Sequence, residues 1–226
     1  MAAAELTTDA LKGAVKASLI ESVANAERFA VPYPHVFASR VFPGDLSAAL
    51  RALPFSVSPV GGLSGKRELH NDTRHYLDKP NCARFEVCAA VADAFQDREV
   101  ALAIEAATGA DLRGSYVRLE YAQDGDGFWL EPHTDLGVKK FTMLIYLNGG
   151  GQEDLGTDLY RDHETWAKRT AFTDNCALIF VPGANTWHGL ARRPIPGVRT
   201  SLIMNYVTDA WRARDQLAFP EAPVLS

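Results

Sequence analysis

The sequence predicts an α+β fold that is mainly β with added helices: a jelly-roll core with helices packed on one face. Three observations carry this. Apolar residues recur at helical spacing only in the first part of the chain, up to residue 111. From 112 to 210 the texture changes to short apolar segments at regular intervals, separated by turn-forming clusters, the pattern of a sandwich or barrel. Helices precede strands with no βαβ alternation, so the two kinds of element form segregated layers. A chain of 226 residues suits one domain, 1–226, with a mainly helical part (1–111) and a β core (112–210).

Taken in order, Leu11, Val15, Leu19 and Val23 recur every four residues behind the capping candidates Thr7, Thr8 and Asp9, which defines an amphipathic helix. A short strand is expected over 35–42. Pro43 opens a helix carrying Leu46, Leu50 and Leu53, and Pro54 closes it. Residues 55–80 read as irregular, rich in Gly, Ser, Asn and Asp. A second helical block begins at Asn81, a good N-cap, runs through Phe85, Val91 and Phe95, breaks near Asp97 and ends at Gly109. Strands are expected at 115–121, 128–134, 140–148, 157–161, 177–181, 187–190 and 198–207, with turns at 124–127, 149–151, 182–183 and 194–197.

Net charge is −5, which argues against duplex nucleic acid as a partner because neutralising phosphates needs clustered Lys and Arg. A local basic patch is expected around Lys139, Lys140, Arg192 and Arg193. Cys82, Cys88 and Cys176 include no Cys-x-x-Cys pair and read as buried free thiols rather than disulfides or a zinc site. The N-terminus lacks a basic segment followed by an apolar one, and no stretch approaches a membrane span. A reducing cytoplasm is the expected location, with no membrane partner.

The chemistry centres on His133-Thr134-Asp135. On a strand, residues i and i+2 point to the same face, so both side chains can reach one metal. His188 follows Trp187 at the start of another apolar strand. Two His and one carboxylate that leave coordination positions open form the facial triad of non-haem iron(II) oxygenases; a structural zinc site would close its shell. A lone His-x-Asp is a weak signal, since Asp caps turns routinely, and a His beside Trp187 also suits a core. The wider context decides.

That context is a series of segments: Glu131-Pro132-His133-Thr134-Asp135, then 141–148 (Phe-Thr-Met-Leu-Ile-Tyr-Leu-Asn), 154–160, 179–189 and 198–203 (Val-Arg-Thr-Ser-Leu-Ile). Their content and order resemble the prolyl-hydroxylase-like branch of the 2-oxoglutarate/Fe(II) dioxygenase superfamily over residues 113–207. The resemblance implies a double-stranded β-helix, Fe(II) on His133, Asp135 and His188, 2-oxoglutarate and O2 as co-substrates, and ascorbate as a candidate reductant. The implied reaction hydroxylates an unactivated C–H bond of a small polar or peptide-like substrate and releases succinate and CO2.

The resemblance also assigns Arg199, eleven positions after His188, to the distal carboxylate of 2-oxoglutarate. From the residues alone, an arginine in the apolar run 198–207 needs an anion, and a carboxylate matches its planar fork. A protein-internal salt bridge is the competing reading. Ser201 shares the strand face of Arg199 and adds a hydroxyl. Tyr146 is implied as a second donor to the same carboxylate, and Tyr121 as a contact to oxoacid or substrate. Arg118 falls on the opposite face from Tyr121 and reads as structural. The paired glycine that the family carries in the following strand appears only as Leu155-Gly156-Thr157, and substrate loops of protein prolyl hydroxylases are not recognisable. A cupin-type metal enzyme without an oxoacid would show more histidines near His133. A non-catalytic binding module would have lost a ligand. Segment 61–79, with Gly61, Gly62 and Gly65 followed by Arg67, His70, Asn71, Arg74, His75 and Tyr76, is expected to be a mobile lid over the substrate, with Arg74 and Tyr76 meeting it.

Overall fold

The computed structural model describes residues 8–57, 65–66 and 74–226. The first helix, α1 (Thr8–Ala24), buries Val15, Leu19 and Val23, the stripe its periodicity predicts. α2 (Leu46–Arg51) buries Leu46 and Leu50. The expected block after residue 81 is three helices rather than two: α3 (Lys79–Arg84), α4 (Glu86–Gln96) and α5 (Arg98–Thr108). The N-cap of α3 is Asp78, not Asn81: its carboxylate accepts the Asn81 amide at 2.9 Å, which puts Asn81 inside the first turn. The extended backbone of Phe85 separates α3 from α4. The break at Asp97 is where the sequence places it, and the Asp97 side chain caps α5 by accepting the Glu99 amide. Gly109, in the left-handed region, closes α5.

The strands are β1 (Glu27–Phe29), β2 (His35–Ser39), β3 (His75–Tyr76), β4 (Tyr116–Asp124), β5 (Leu130–His133), β6 (Lys139–Tyr146), β7 (Asp158–Tyr160), β8 (Trp166–Arg169), β9 (Cys176–Phe180), β10 (His188–Leu190) and β11 (Arg199–Val207). Among the described residues they form a seven-stranded sheet, β1-β2-β9-β6-β11-β4-β3, and a four-stranded sheet, β5-β10-β7-β8. From β4 onward the chain passes back and forth between the two sheets, the winding of a jelly roll. β1, β3 and β8 are absent from the sequence-based prediction. All three are short edge strands, too short and too polar to show apolar alternation, and neighbouring ladders hold them in place.

Alternation along the larger sheet separates two cores. Val117, Leu119 and Tyr121 of β4, Phe141, Met143 and Ile145 of β6, and Leu202, Met204 and Tyr206 of β11 pack with α1, α4 and α5. The second core lies between the sheets, where Leu178 and Phe180 of β9 meet Leu159 of β7, Leu190 of β10 and Phe128, Leu155 and Phe172 from the connecting segments. Helices therefore cover one face of the larger sheet, and the other face is left to form an interior with the smaller one. The three cysteines are free; Cys88 and Cys176 are buried and Cys82 is half-buried. No helix among the described residues is long and apolar enough to cross a membrane.

Candidate metal centre

β5 and β10 run antiparallel with His133 opposite His188, which brings their ring centroids to 4.4 Å. Asp135 lies in the turn that leads from β5 into β6. Ligand atoms of His133, Asp135 and His188 all lie within 4.8 Å of one another. Each imidazole Nδ1 faces a backbone carbonyl, Glu131 O for His133 and Thr186 O for His188, both at 2.9 Å. A carbonyl only accepts, so Nδ1 carries the proton and Nε2 presents a lone pair, the form a metal needs. Gly189 lets the strands approach: a Cβ there would lie 2.8 Å from the Leu130 carbonyl.

The Asp135 carboxylate is held on both oxygens. The Thr142 hydroxyl donates to Oδ2 at 2.6 Å, and the Lys139 ammonium contacts Oδ1. Burial works to raise the Asp135 carboxyl. The Lys139 ammonium and the Thr142 hydroxyl counter it, and the group is held below the usual carboxylate range. Strict alternation would send Lys139 to the helix side with Phe141. A bulge in the β6–β11 register, between Tyr206 and Val207, shifts the phase and delivers Lys139 into the cavity that His133, Asp135 and His188 line. That displacement has no local sequence signal.

The basic patch expected at Lys139, Lys140, Arg192 and Arg193 does not form. Lys139 points inward. Lys140 donates to the Arg113 carbonyl, Arg192 stacks on Trp129, and Arg193 binds Asp158 at 2.6 Å.

Arg199 and Ser201 both line the cavity. Arg199 nevertheless takes the competing role of a protein-internal pair. Its Nη1 binds Asp124 Oδ2 and its Nε donates to the Leu155 carbonyl, each at 2.7 Å. Asp124, which the sequence pattern assigns to a turn, is the last residue of β4, directly opposite Arg199. Arg74 holds its other oxygen at 2.7 Å. Glu120 lies 3.6 Å from Arg74 and 2.7 Å from Arg118. The result is a buried ladder of alternating charge, Arg118–Glu120–Arg74–Asp124–Arg199, with three cations to two anions among the described residues. Nη2 of Arg199 makes no hydrogen bond among the described residues, and the guanidinium lies 4.8 Å from the Phe172 ring centre.

Three further expectations are corrected. The Tyr146 hydroxyl is buried against Thr157 and Thr170, at 2.8 and 2.7 Å, and does not line the cavity. Tyr121 faces the helices and donates to the Leu50 carbonyl; the site face of β4 is that of Arg118, Glu120, Ala122 and Asp124. Tyr76 lies in β3 opposite Glu120, with its ring against Arg118, outside the cavity. Arg74 does line the cavity, tied to Asp124. Residues 61–64 and 67–73 of the expected lid lie outside the described residues. Its end, residues 75–76 and 79, is strand and helix instead of loop. Gly65 accepts the Glu131 amide at 3.0 Å. It sits so close to Trp129 that a Cβ would lie 2.4 Å from the ring, which ties this point of the segment to the strand that carries His133.

Sequence comparison finds no matching family and no matching curated protein. Structural comparison finds the same fold in several solved proteins. A prolyl 4-hydroxylase from Pseudomonas putida has a TM-score of 0.54 at 18% identity, covering 86% of this chain and 94% of that one. A prolyl hydroxylase from Trichoplax adhaerens, solved with a peptide fragment of a hypoxia-inducible factor, has a TM-score of 0.56 at 14% identity, covering 92% and 97%. The non-haem α-ketoglutarate-dependent epimerase SnoN of nogalamycin biosynthesis has a TM-score of 0.52 at 14% identity, covering 87% and 84%. The fold is thus the jelly roll that these 2-oxoglutarate/Fe(II) oxygenases share.

Proposed function

We propose that the protein is an Fe(II)- and 2-oxoglutarate-dependent dioxygenase that hydroxylates an unactivated C–H bond of a small polar or peptide-like substrate. One observation carries this reading. Two imidazoles with Nδ1 tied back and an ionised carboxylate converge on one point inside a cavity that also holds Arg199. The donor set fits iron(II), as two neutral nitrogen ligands and one carboxylate on one side leave the other side open for ligands. Bound iron would supply oxygen activation coupled to decarboxylation of the oxoacid to succinate and CO2.

The chain's own part is orientation and exclusion of water. The Glu131 and Thr186 carbonyls fix the imidazole rings. Arg199 Nη2 and Ser201 are the donors for the distal carboxylate of 2-oxoglutarate. Phe128, Leu130, Leu144 and Ile203 give the cavity an apolar lining, which keeps water away from a reactive centre. Arg74, on the same cavity, is the residue we assign to the substrate side. The peptide held by the Trichoplax adhaerens enzyme keeps peptides within the substrate class.

The test is succinate release by purified protein given Fe(II), 2-oxoglutarate, O2 and ascorbate as reductant, with iron stoichiometry measured in parallel. His133→Ala, Asp135→Ala and His188→Ala should each lose most bound iron and nearly all succinate. A His188→Ala protein with full iron and turnover would remove the assignment. Iron binding without oxoacid-dependent chemistry would favour a cupin-type enzyme or a binding module.

A further inference from the structure

The interior face of the larger sheet carries one polar row that crosses three strands. Arg118 on β4 stands opposite Asn205 on β11, and Asn205 stands opposite Thr142 on β6. Arg118 Nη1 donates to Asn205 Oδ1 at 3.2 Å. Asn205 Nδ2 donates to the Thr142 hydroxyl at 2.9 Å. The Thr142 hydroxyl donates to Asp135 Oδ2 at 2.6 Å. Arg118, Asn205 and Thr142 are each no more than 1% exposed.

The direction of this row is forced from both ends. A guanidinium only donates and a carboxylate only accepts. The Asn205 amide must therefore turn its oxygen to Arg118 and its NH2 to Thr142, and the single proton of the Thr142 hydroxyl must go to Asp135. The outer end is anchored independently. Arg118 binds Glu120 at 2.7 Å and Gln216 at 3.0 Å, and it lies 4.6 Å from the Trp211 ring centre. Burying three polar side chains in a row costs free energy that apolar residues at the same sites would not incur. The next row along the strands is Glu120, Ile203 and Leu144, polar only on β4.

We propose that Asn205 and Thr142 are positioning residues that orient Asp135 for the metal, with Asn205 acting through the Thr142 hydroxyl and Arg118 setting the polarity of the row. This rests on the iron reading of the triad. Its consequence is that Asn205, which touches neither metal nor substrate, governs metal affinity.

Asn205→Asp is the discriminating variant. It keeps the shape and still accepts from Arg118, but it faces the Thr142 hydroxyl with a second carboxylate that competes with Asp135 for one proton. Thr142→Val removes the hydroxyl at nearly constant volume, and Thr142→Ser restores it. The probe is Mn(II), titrated calorimetrically into the metal-free chain without oxoacid, with His133→Ala defining the level of binding outside the triad. Asn205→Asp and Thr142→Val should each weaken Mn(II) binding by roughly 10- to 100-fold, and Thr142→Ser should recover most of the affinity. Wild-type Mn(II) affinity in Asn205→Asp or in Thr142→Val would overturn the proposal. Should Thr142→Val fail to fold, Asn205→Asp decides alone. Wild-type binding that does not depend on His133 would overturn the iron reading itself, and this inference with it.

Discussion

Replacing Lys139 by Met removes an ammonium from the carboxylate that a metal would use, while keeping an apolar stem in the cavity. The side chains of Lys139 and Asp135 are 7% and 5% exposed, so solvent screens the pair little. A dication at Asp135 has to displace or repel that ammonium. The change in metal affinity equals the stabilisation lost from the metal-free protein minus that lost from the metal-bound one. In the bound state the contact is already given up, so the second quantity is close to zero. A hydrogen bond to a charged group contributes about 1.5–3 kcal/mol. Metal-free Lys139→Met should therefore be less stable by about that amount and should bind Mn(II) roughly 10- to 100-fold more tightly. Removing the ammonium–dication repulsion acts in the same direction. Calorimetric titration gives the affinity, and thermal unfolding in excess chelator gives the metal-free stability. An unchanged or weaker affinity, with unchanged metal-free stability, would refute the claim that Lys139 and the metal compete for Asp135.

Two other predictions use the buried charges. Arg199→Ala should raise the 2-oxoglutarate concentration for half-saturation by roughly 30-fold, since loss of a buried charge partner costs at least about 2 kcal/mol, and should leave Mn(II) affinity unchanged. The visible charge-transfer band of the anaerobic iron complex reports the midpoint, and an unmoved one would place the oxoacid carboxylate elsewhere, with Arg74 the next candidate. Asp158 is fully buried, sits opposite Gly189 in the register that holds β10, and is bound by Arg193, Arg169, Trp166 and the Ala191 amide. Burial raises its carboxyl, but Arg193 and the other donors outweigh this and hold it below the usual carboxylate range. Its stabilisation is thus present above that range and lost as pH falls through the lower folded-state value. Asp158→Asn should cost about 3–5 kcal/mol at neutral pH and flatten the fall of thermal midpoint below about pH 4; an acid limb as steep as wild type would refute this.

Much of the candidate site is legible in the order of residues along the chain. His133 and Asp135 are close because they are two residues apart, although β5 ends at His133 and Asp135 lies in the turn beyond it, and the strand repeat correctly groups Thr142 with Leu144 and Tyr146, and Arg199 with Ser201. The helical stripe of α1 and the break at Asp97 are equally local. The misplacement of Tyr121 falls where local pattern leaves a choice of two. Alternation separates Tyr121 from Arg118 but does not say which faces the side of the candidate metal centre. That is decided by the helices, which cover the Val117, Leu119 and Tyr121 face.

The sequence by itself determined the class of fold, the order of its longer elements and the three residues of the candidate metal centre, because these are written in short-range periodicity and in residue chemistry. Only the tertiary structure decided the neighbours of those residues. The Asp124–Arg199 pair spans 75 residues and exists because β4 and β11 align in one register. Lys139 reaches Asp135 because a bulge shifts the β6 phase. The Arg118–Asn205–Thr142 row needs three strands side by side. Register is chosen by the packing of whole sheets, where a slip of one residue would exchange every interior side chain for its helix-facing neighbour, and no local stretch of sequence encodes that choice.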